Sequence, residues 1–273
     1  MTGSAEPTLP DVLRLLWRAR ASLFIGGALG CVGAALFLLF SIPHYRISML
    51  VAPAEQTIRA DIKYFLPENS GFALQDTAGG MAAPDMTDFT RFEYTLRGRN
   101  VARGFTSDQA VMDGLRRDRK FVFIKPPALK TADDLAAYFN KKIAVEPVGD
   151  TPLRRIVFDH PEPEFGMALL NTLYARTDAL IRQDMAATAK ARAVYLKDTL
   201  DKTSHPDHRR ALTALLMEQE HRLMILAMEE PFAAIIAEPP AASVRPWWPR
   251  KNLIFAGFAF AGALLGFALR GAK

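Results

Sequence analysis

Hydrophobic and polar positions follow three different patterns along this chain, and each predicts a different kind of element. At the coarsest scale, Ser22 to Ile42 and Asn252 to Leu269 contain no charged residue. At 1.5 Å per residue these runs reach about 31 Å and about 27 Å as helices, enough to cross a hydrocarbon core of ~30 Å once each. The pattern therefore predicts two transmembrane helices near the ends, with both termini on one side of a bilayer and the long middle on the other.

The middle shows shorter periods. Tyr45 to Val51 alternates and is β-branched enough for a strand leaving the membrane. Pro53 to Pro84, with Gly71, Gly79 and Gly80, shows little periodicity and reads as loop. Met86, Phe89, Phe92 and Leu96 recur at helical spacing, and Ser107 is placed to cap a second short helix through Leu115. Lys120 to Ile124 reads as a strand halted by Pro126 and Pro127, and Thr131 with Asp134 marks a capped helix start leading through Leu135 and Tyr138. Two strands follow, Lys142 to Glu146 and Arg154 to Asp159, joined by a turn at Gly149 and Asp150.

The most regular pattern comes next. From Pro163 to about Lys202 nothing breaks a helix, and Leu169, Leu173, Leu180, Ile181, Met185, Ala189, Leu196 and Leu200 form a drifting stripe. Ser204-His205-Pro206-Asp207 ends it and starts a second helix with a seam of Leu212, Leu215, Leu216, Gln219, Leu223 and Leu226, closed by Pro231. Two such stripes are satisfied by packing on each other as a hairpin. A two-helix arm covers only one side of each stripe, so lateral packing between copies is expected to supply the rest, with the alanine-rich stretch Met185 to Ala193 offering a smooth face.

The fold expected is thus an α+β membrane protein in which two transmembrane helices flank an α/β base with a projecting helical hairpin, a base that the family resemblance given below implies is periplasmic. In residues, this is a cytoplasmic tail over 1–21, a first span over 22–42, the base over 43–162, the hairpin arm over 163–230, a return strand and proline-rich link over 231–249, a second span over 250–270 and a tail over 271–273.

Charge sharpens that picture. The chain has a formal net charge of +5. Arg14, Arg18, Arg20, Arg250, Lys251, Arg270 and Lys273 flank the spans, and between Ala21 and Pro249 basic and acidic residues are equal in number. The positive excess is therefore juxtamembrane and speaks of anionic lipid headgroups, not of nucleic acid. Arg14, Arg18 and Arg20 precede the first span while only His44 and Arg46 follow closely, which predicts cytoplasmic termini. Trp247 and Trp248 stand where indoles favour the headgroup region. A cleaved signal peptide is disfavoured, because the apolar run is long and Phe40-Ser41-Ile42-Pro43 has no small-x-small site. Cys31 lies inside the run, where a lipidated cysteine does not belong, and reads as a small apolar residue. Gly26 and Gly30, like Gly262 and Gly266, are four apart, the interval that lets helix backbones approach in lipid; glycine is also simply common in such helices.

Motifs for catalysis are missing. The chain has no GxxxxGK[ST], GxSxG, HExxH or GxGxxG pattern. His205, His208 and His221 straddle a helix break and read as a solvated tip. The carboxylates Asp133 with Asp134, Glu162 with Glu164, and Glu229 with Glu230 sit at helix ends, where capping is ordinary. Arg116, Arg117, Arg119 and Lys120 form the densest basic cluster of the middle, a solvated turn or a contact for an acidic sugar or lipid phosphate. The expectation is a protein that is not an enzyme and takes no cofactor or metal.

Three passages then resemble the Wzz-type chain length determinants, the polysaccharide co-polymerases of bacterial inner membranes. They are HYRISMLVAP over His44 to Pro53, IVFDHPEPEFGMALLNTLYARTDALIR over Ile156 to Arg182 with Asn171 early in its helix, and AEPPAASVRPWWPRKNLIFAGFAFAGALLGF over Ala237 to Phe267. The last, with Pro240, Pro246 and Pro249 leading into a glycine-bearing span, is the most specific. The resemblance implies a periplasmic base, a projecting arm, and a ring-like homo-oligomer. It further implies a role in setting the length of O-antigen, capsular or exopolysaccharide chains with a polymerase of the inner membrane, possible contact with the polysaccharide or its lipid-linked precursor, and no enzymatic activity. The form without an attached kinase is expected, and the arm is shorter than the family's usual one. Within the same fold the competing role is an adaptor in capsule export; from another class, a periplasmic sensor or scaffold. Proline suits its place, since it has no amide proton to leave unpaired near lipid and its fixed φ stiffens the link. Gly26, Gly30, Pro240, Pro246, Pro249, Gly262 and Gly266 are therefore the candidate membrane-coupling and helix-contact residues.

Overall fold

The computed structural model describes residues 20–54, 88–228 and 230–271. Most of the expected loop over Pro53 to Pro84, Met86, Glu229 and the tail residues Arg14, Arg18 and Lys273 lie outside them. In chain order the elements are α1 (Arg20–Phe40), β1 (Tyr45–Pro53), α2 (Asp88–Leu96), α3 (Arg99–Phe105), α4 (Gln109–Arg116), α5 (Ala132–Lys142), β2 (Ile143–Pro147), β3 (Arg154–His160), α6 (Pro163–Lys202), α7 (Pro206–Ala227), β4 (Ala234–Ala242) and α8 (Lys251–Gly271). The described residues fall into two compact units, one within 46–117 and 127–242, the other joining α1 and α8 to residues 118–126.

The larger unit is a four-stranded sheet of order β2-β3-β1-β4 covered by helices. β2 and β3 form an antiparallel pair from Ile143 opposite Phe158 to Pro147 opposite Arg154. Gly149 takes a φ of 56° in the turn between them, a left-handed value that a side chain would resist. β1 alternates as its sequence demands, burying Ile47, Met49 and Val51. Those side chains join Phe92 and Leu96 of α2, Phe105 of α3, Leu115 of α4, Phe139 of α5 and Leu169 and Leu173 of α6 in one core. Close packing explains two glycines: a Cβ on Gly166 would collide with the Ile47 side chain, and one on Gly114 with the Phe165 ring.

β4 is an edge strand paired antiparallel with β1, and its register slips twice. Ser48 faces Ala241 while Leu50 faces Glu238, so Pro239 and Pro240 share a bulge on β4. A bulge on an edge is where proline, lacking an amide donor, disturbs a sheet least.

α6 spans Pro163–Lys202 in 40 residues, starting with proline at its first turn as helices tolerate. Its first half, through Ile181, lies in the core; beyond Met185 it buries only Ala189 and Ala193, against α7. α7 in turn buries only Gln219 and Leu226. The seam read from sequence is thus shallower than expected, and Leu215 stays 46% exposed. Small alanine side chains permit a close helix approach, and periodicity alone does not say which leucines it covers.

Two further expectations are corrected. Lys120 to Ile124 is no strand: among the described residues its only pairing is the isolated bridge between Phe121 and Ser41, and the Ile124 amide turns back to the Phe121 carbonyl at 3.2 Å. Its Phe-Val-Phe-Ile composition fits a strand, but among the described residues no neighbouring strand accepts it. The second concerns the cap near Ser107. Asp108 is the residue that accepts the Val111 amide, at 3.3 Å, and a helix the spacing missed, α3, precedes it. The capping box at Thr131 and Asp134 is present as read.

Candidate membrane-coupling site

The smaller unit contains two helices long and apolar enough to cross a membrane, Arg20–Phe40 and Lys251–Leu269. They pack on each other antiparallel, and glycine makes the crossing. A Cβ on Gly26 would stand 3.2 Å from the Gly266 Cα and strike the Gly262 carbonyl; one on Gly30 would stand 3.1 Å from the Ala259 Cα. The reverse view agrees, since a Cβ on Gly262 would meet the Gly26 carbonyl and one on Gly266 the Ser22 carbonyl. Main chain lies on main chain at this crossing, which only hydrogen-sized side chains permit. Gly257, by contrast, faces open space.

Where α1 ends, three segments converge into a collar. Backbone hydrogen bonds run from Ile42 N–H to the Lys120 carbonyl at 2.9 Å, from His44 N–H to the Trp248 carbonyl at 2.8 Å, and from Trp247 N–H back to the His44 carbonyl at 2.8 Å. Trp248 lies edge-on to His44 and to Phe121, with ring centroids 5.8 and 5.6 Å away, and the Lys120 amine sits 5.5 Å from its ring. The indole is therefore a packing centre of the collar more than a free headgroup anchor; Trp247 is the more exposed of the two and stacks under the Arg250 guanidinium at 4.2 Å.

His44 and Asp118 hold the collar from within. Both are buried, with His44 Nε2 3.0 Å from Asp118 Oδ1 and His44 Nδ1 2.9 Å from the Ile42 carbonyl. Sequence reasoning passed over this pair, which are 74 residues apart; a lone histidine at the exit of an apolar run was the available signal. Pro249 is buried in the collar, Pro246 is exposed, and both line an open pocket of about 570 Å³ with Arg245, Arg250 and Lys251. The structure thus brings Gly26, Gly30, Gly262 and Gly266 together and places Pro246 and Pro249 in the collar, whereas Pro240 belongs to the β4 bulge of the larger unit.

The larger unit uses its charges structurally. Asp178 Oδ1 accepts the Phe232 and Ala233 amides at 3.0 and 2.8 Å, and its Oδ2 accepts Arg182 at 2.9 Å; Arg182 also donates to the Met228 and Glu230 carbonyls. This clamp ties the return from α7 into β4 onto α6. Beside it the Tyr174 hydroxyl donates to the Ala234 carbonyl at 2.6 Å, and burial, helped by the Asp178 charge, pushes its phenol up to about 12. Three of the carboxylates considered for catalysis have other partners: Asp134 is drawn below the usual carboxylate range by the Thr131 hydroxyl, Asp133 pairs with Arg99 at 2.7 Å, and Glu162 pairs with Arg117 at 2.9 Å, raising the guanidinium further through that hydrogen bond. The His205 and His208 rings stand 4.9 Å apart, and among the described residues no three of His, Cys, Asp and Glu group as metal ligands would.

No protein-family model and no curated protein matches this chain. Among solved structures, the chain is similar to one described as a full-length bacterial polysaccharide co-polymerase, at 13% identity over 97% of this chain and 98% of that one, with a TM-score of 0.42.

Proposed function

We propose that this protein is a non-catalytic regulator of surface polysaccharide chain length in a bacterial inner membrane. It crosses the bilayer twice with both termini in the cytoplasm, exposes the α/β unit and its α6–α7 arm to the periplasm, and assembles with copies of itself. The glycine crossing and the collar are the parts that couple the spans to the chain entering and leaving the α/β unit. Its partners are a membrane polymerase and, through that enzyme, the growing polysaccharide or its lipid-linked precursor.

One observation carries the reading. The three passages that resemble the chain length determinants coincide with β1, with the β3-to-α6 turn, and with the run from β4 through the proline link into α8. β1 and β4 are paired neighbours, and their membrane-side extensions pair again as His44 with Trp248. The engagement of Asp134 in a cap and of Asp133 and Glu162 in ion pairs fits a scaffold better than an acid–base site.

Deleting the gene and sizing surface polysaccharide on a gel tests the proposal. A shifted length distribution is expected. Loss of all polymer would favour the export adaptor instead, and an unchanged ladder would overturn both. Pro246→Ala and Gly262→Leu are expected to insert normally yet change the modal length; wild-type polymer from both would remove the coupling role.

A further inference from the structure

We propose that the loop from Lys120 to Lys125 is a third membrane element, which seats Val122, Phe123 and Ile124 in the bilayer interface beside the end of α1. These three side chains are 57%, 73% and 44% exposed, a cluster of large apolar groups that water would not hold open. The loop cannot drift from the span. Ile42 N–H donates to the Lys120 carbonyl at 2.9 Å and Val122 N–H to the Phe40 carbonyl at 3.2 Å, so its backbone is fastened to the last residues of the first apolar helix.

The aromatic contacts fix its depth. Phe121 meets Phe37 edge-on at 5.2 Å, and Phe123 meets Phe40 at 6.5 Å while stacking on Phe121 at 5.4 Å. Phe37 and Phe40 belong to the final turn of α1, where Leu39 and Phe40 face outward. The loop therefore continues the lipid-facing surface of α1. Lys120 and Lys125 bracket the apolar tip with stems long enough to reach headgroup phosphates while the centre sits deeper. Lys120 to Lys125 contains no acidic residue, and Asp118 just before it is turned inward onto His44, so no acidic side chain there opposes entry. Within the tip, the Ile124 amide is satisfied by the Phe121 carbonyl at 3.2 Å, as backbone near lipid requires.

This inference rests on α1 spanning the membrane, and its test separates the two. In full-length protein carrying Cys31→Ser, single cysteines are introduced as Phe123→Cys, Ile124→Cys and, within the span, Leu36→Cys. Each is labelled with an environment-sensitive dye and reconstituted in phosphatidylethanolamine–phosphatidylglycerol vesicles. Ile124→Cys keeps Phe123 in place and so guards against loss of the anchor itself. All three positions are expected to lose emission severalfold with doxyl-chain lipids and to resist aqueous iodide. Quenching by lipid at Leu36 alone, with iodide reaching the loop, would overturn the loop and leave the span. A loop shielded from both quenchers would mean that protein, such as a second copy, covers it, and would also overturn the proposal. No lipid quenching at Leu36 would remove the spanning helix and the loop together.

Discussion

Nε2 of His44 lies 3.0 Å from Oδ1 of Asp118, and neither side chain is exposed to water. The contact closes the collar on its inner side, because Nδ1 of the same ring reaches the Ile42 carbonyl at 2.9 Å. Both ring nitrogens thus have a partner within the collar. His44→Ala or Asp118→Ala would remove this buried contact, and a loss of about 1–3 kcal/mol is expected. The double variant should lose less than the two single losses together. Thermal or urea unfolding followed by tryptophan emission, which senses Trp248 beside His44, measures this.

The glycine crossing makes a position-specific prediction. Gly262→Leu would drive a side chain into the Gly26 main chain, whereas Gly257→Leu enters open space. Overpacking of this kind is expected to weaken the pairing of the spans by about 1–3 kcal/mol. Disulfide trapping between cysteines placed at the crossing should fall for Gly262→Leu and stay at the parental level for Gly257→Leu; equal trapping would exclude the packing seen here.

Asp178 is expected to be the most sensitive acidic residue of the larger unit. Asp178→Ala leaves the Phe232 and Ala233 amides without their acceptor and takes the carboxylate from Arg182, which keeps its two carbonyl acceptors, a loss of about 2–4 kcal/mol. Urea denaturation measures it, and early proteolysis between α7 and β4 would show that the clamp fastens that return.

Tyr174 supplies a pH signature. Its folded value, about 12, lies above the unfolded 10.0, so its contribution is complete below pH 10 and is lost as pH rises towards 12. Phenolate absorbance should show a late-ionising component that disappears in Tyr174→Phe.

In the arm, Leu216→Glu is expected to destabilise the hairpin, since Leu216 is half-buried, while Leu215→Glu on the exposed side should change melting little. Similar losses from both would mean that α7 is covered on its outer side as well.

Much of the fold is legible in the residues. Proline at the start of α6 and forty residues without a breaker define that helix, and the alternation of Tyr45 to Val51 defines β1, because these signals are local and strong. The glycine spacing in both spans is equally local, although only the packed helices reveal that the two glycine rows meet each other. Phe121 to Ile124 misled for a physical reason: apolar, β-prone side chains suit a strand or a lipid-facing loop alike, and local sequence does not say whether a neighbouring strand exists. The shallow seam of α7 has the same origin, since periodicity marks which residues face a partner and not how closely it approaches.

By itself the sequence determined two apolar helices of membrane length, a charge-balanced α/β middle and one very long amphipathic helix, because helix length, hydropathy and capping act over neighbouring residues. Only the tertiary structure decided that Asp118 reaches across 74 residues to His44, that Asp178 ties down the return to β4, and that an apolar loop attaches to the end of the first apolar helix. Such contacts join residues far apart in the chain, and their stability comes from burial, which exists only once the chain has folded around them.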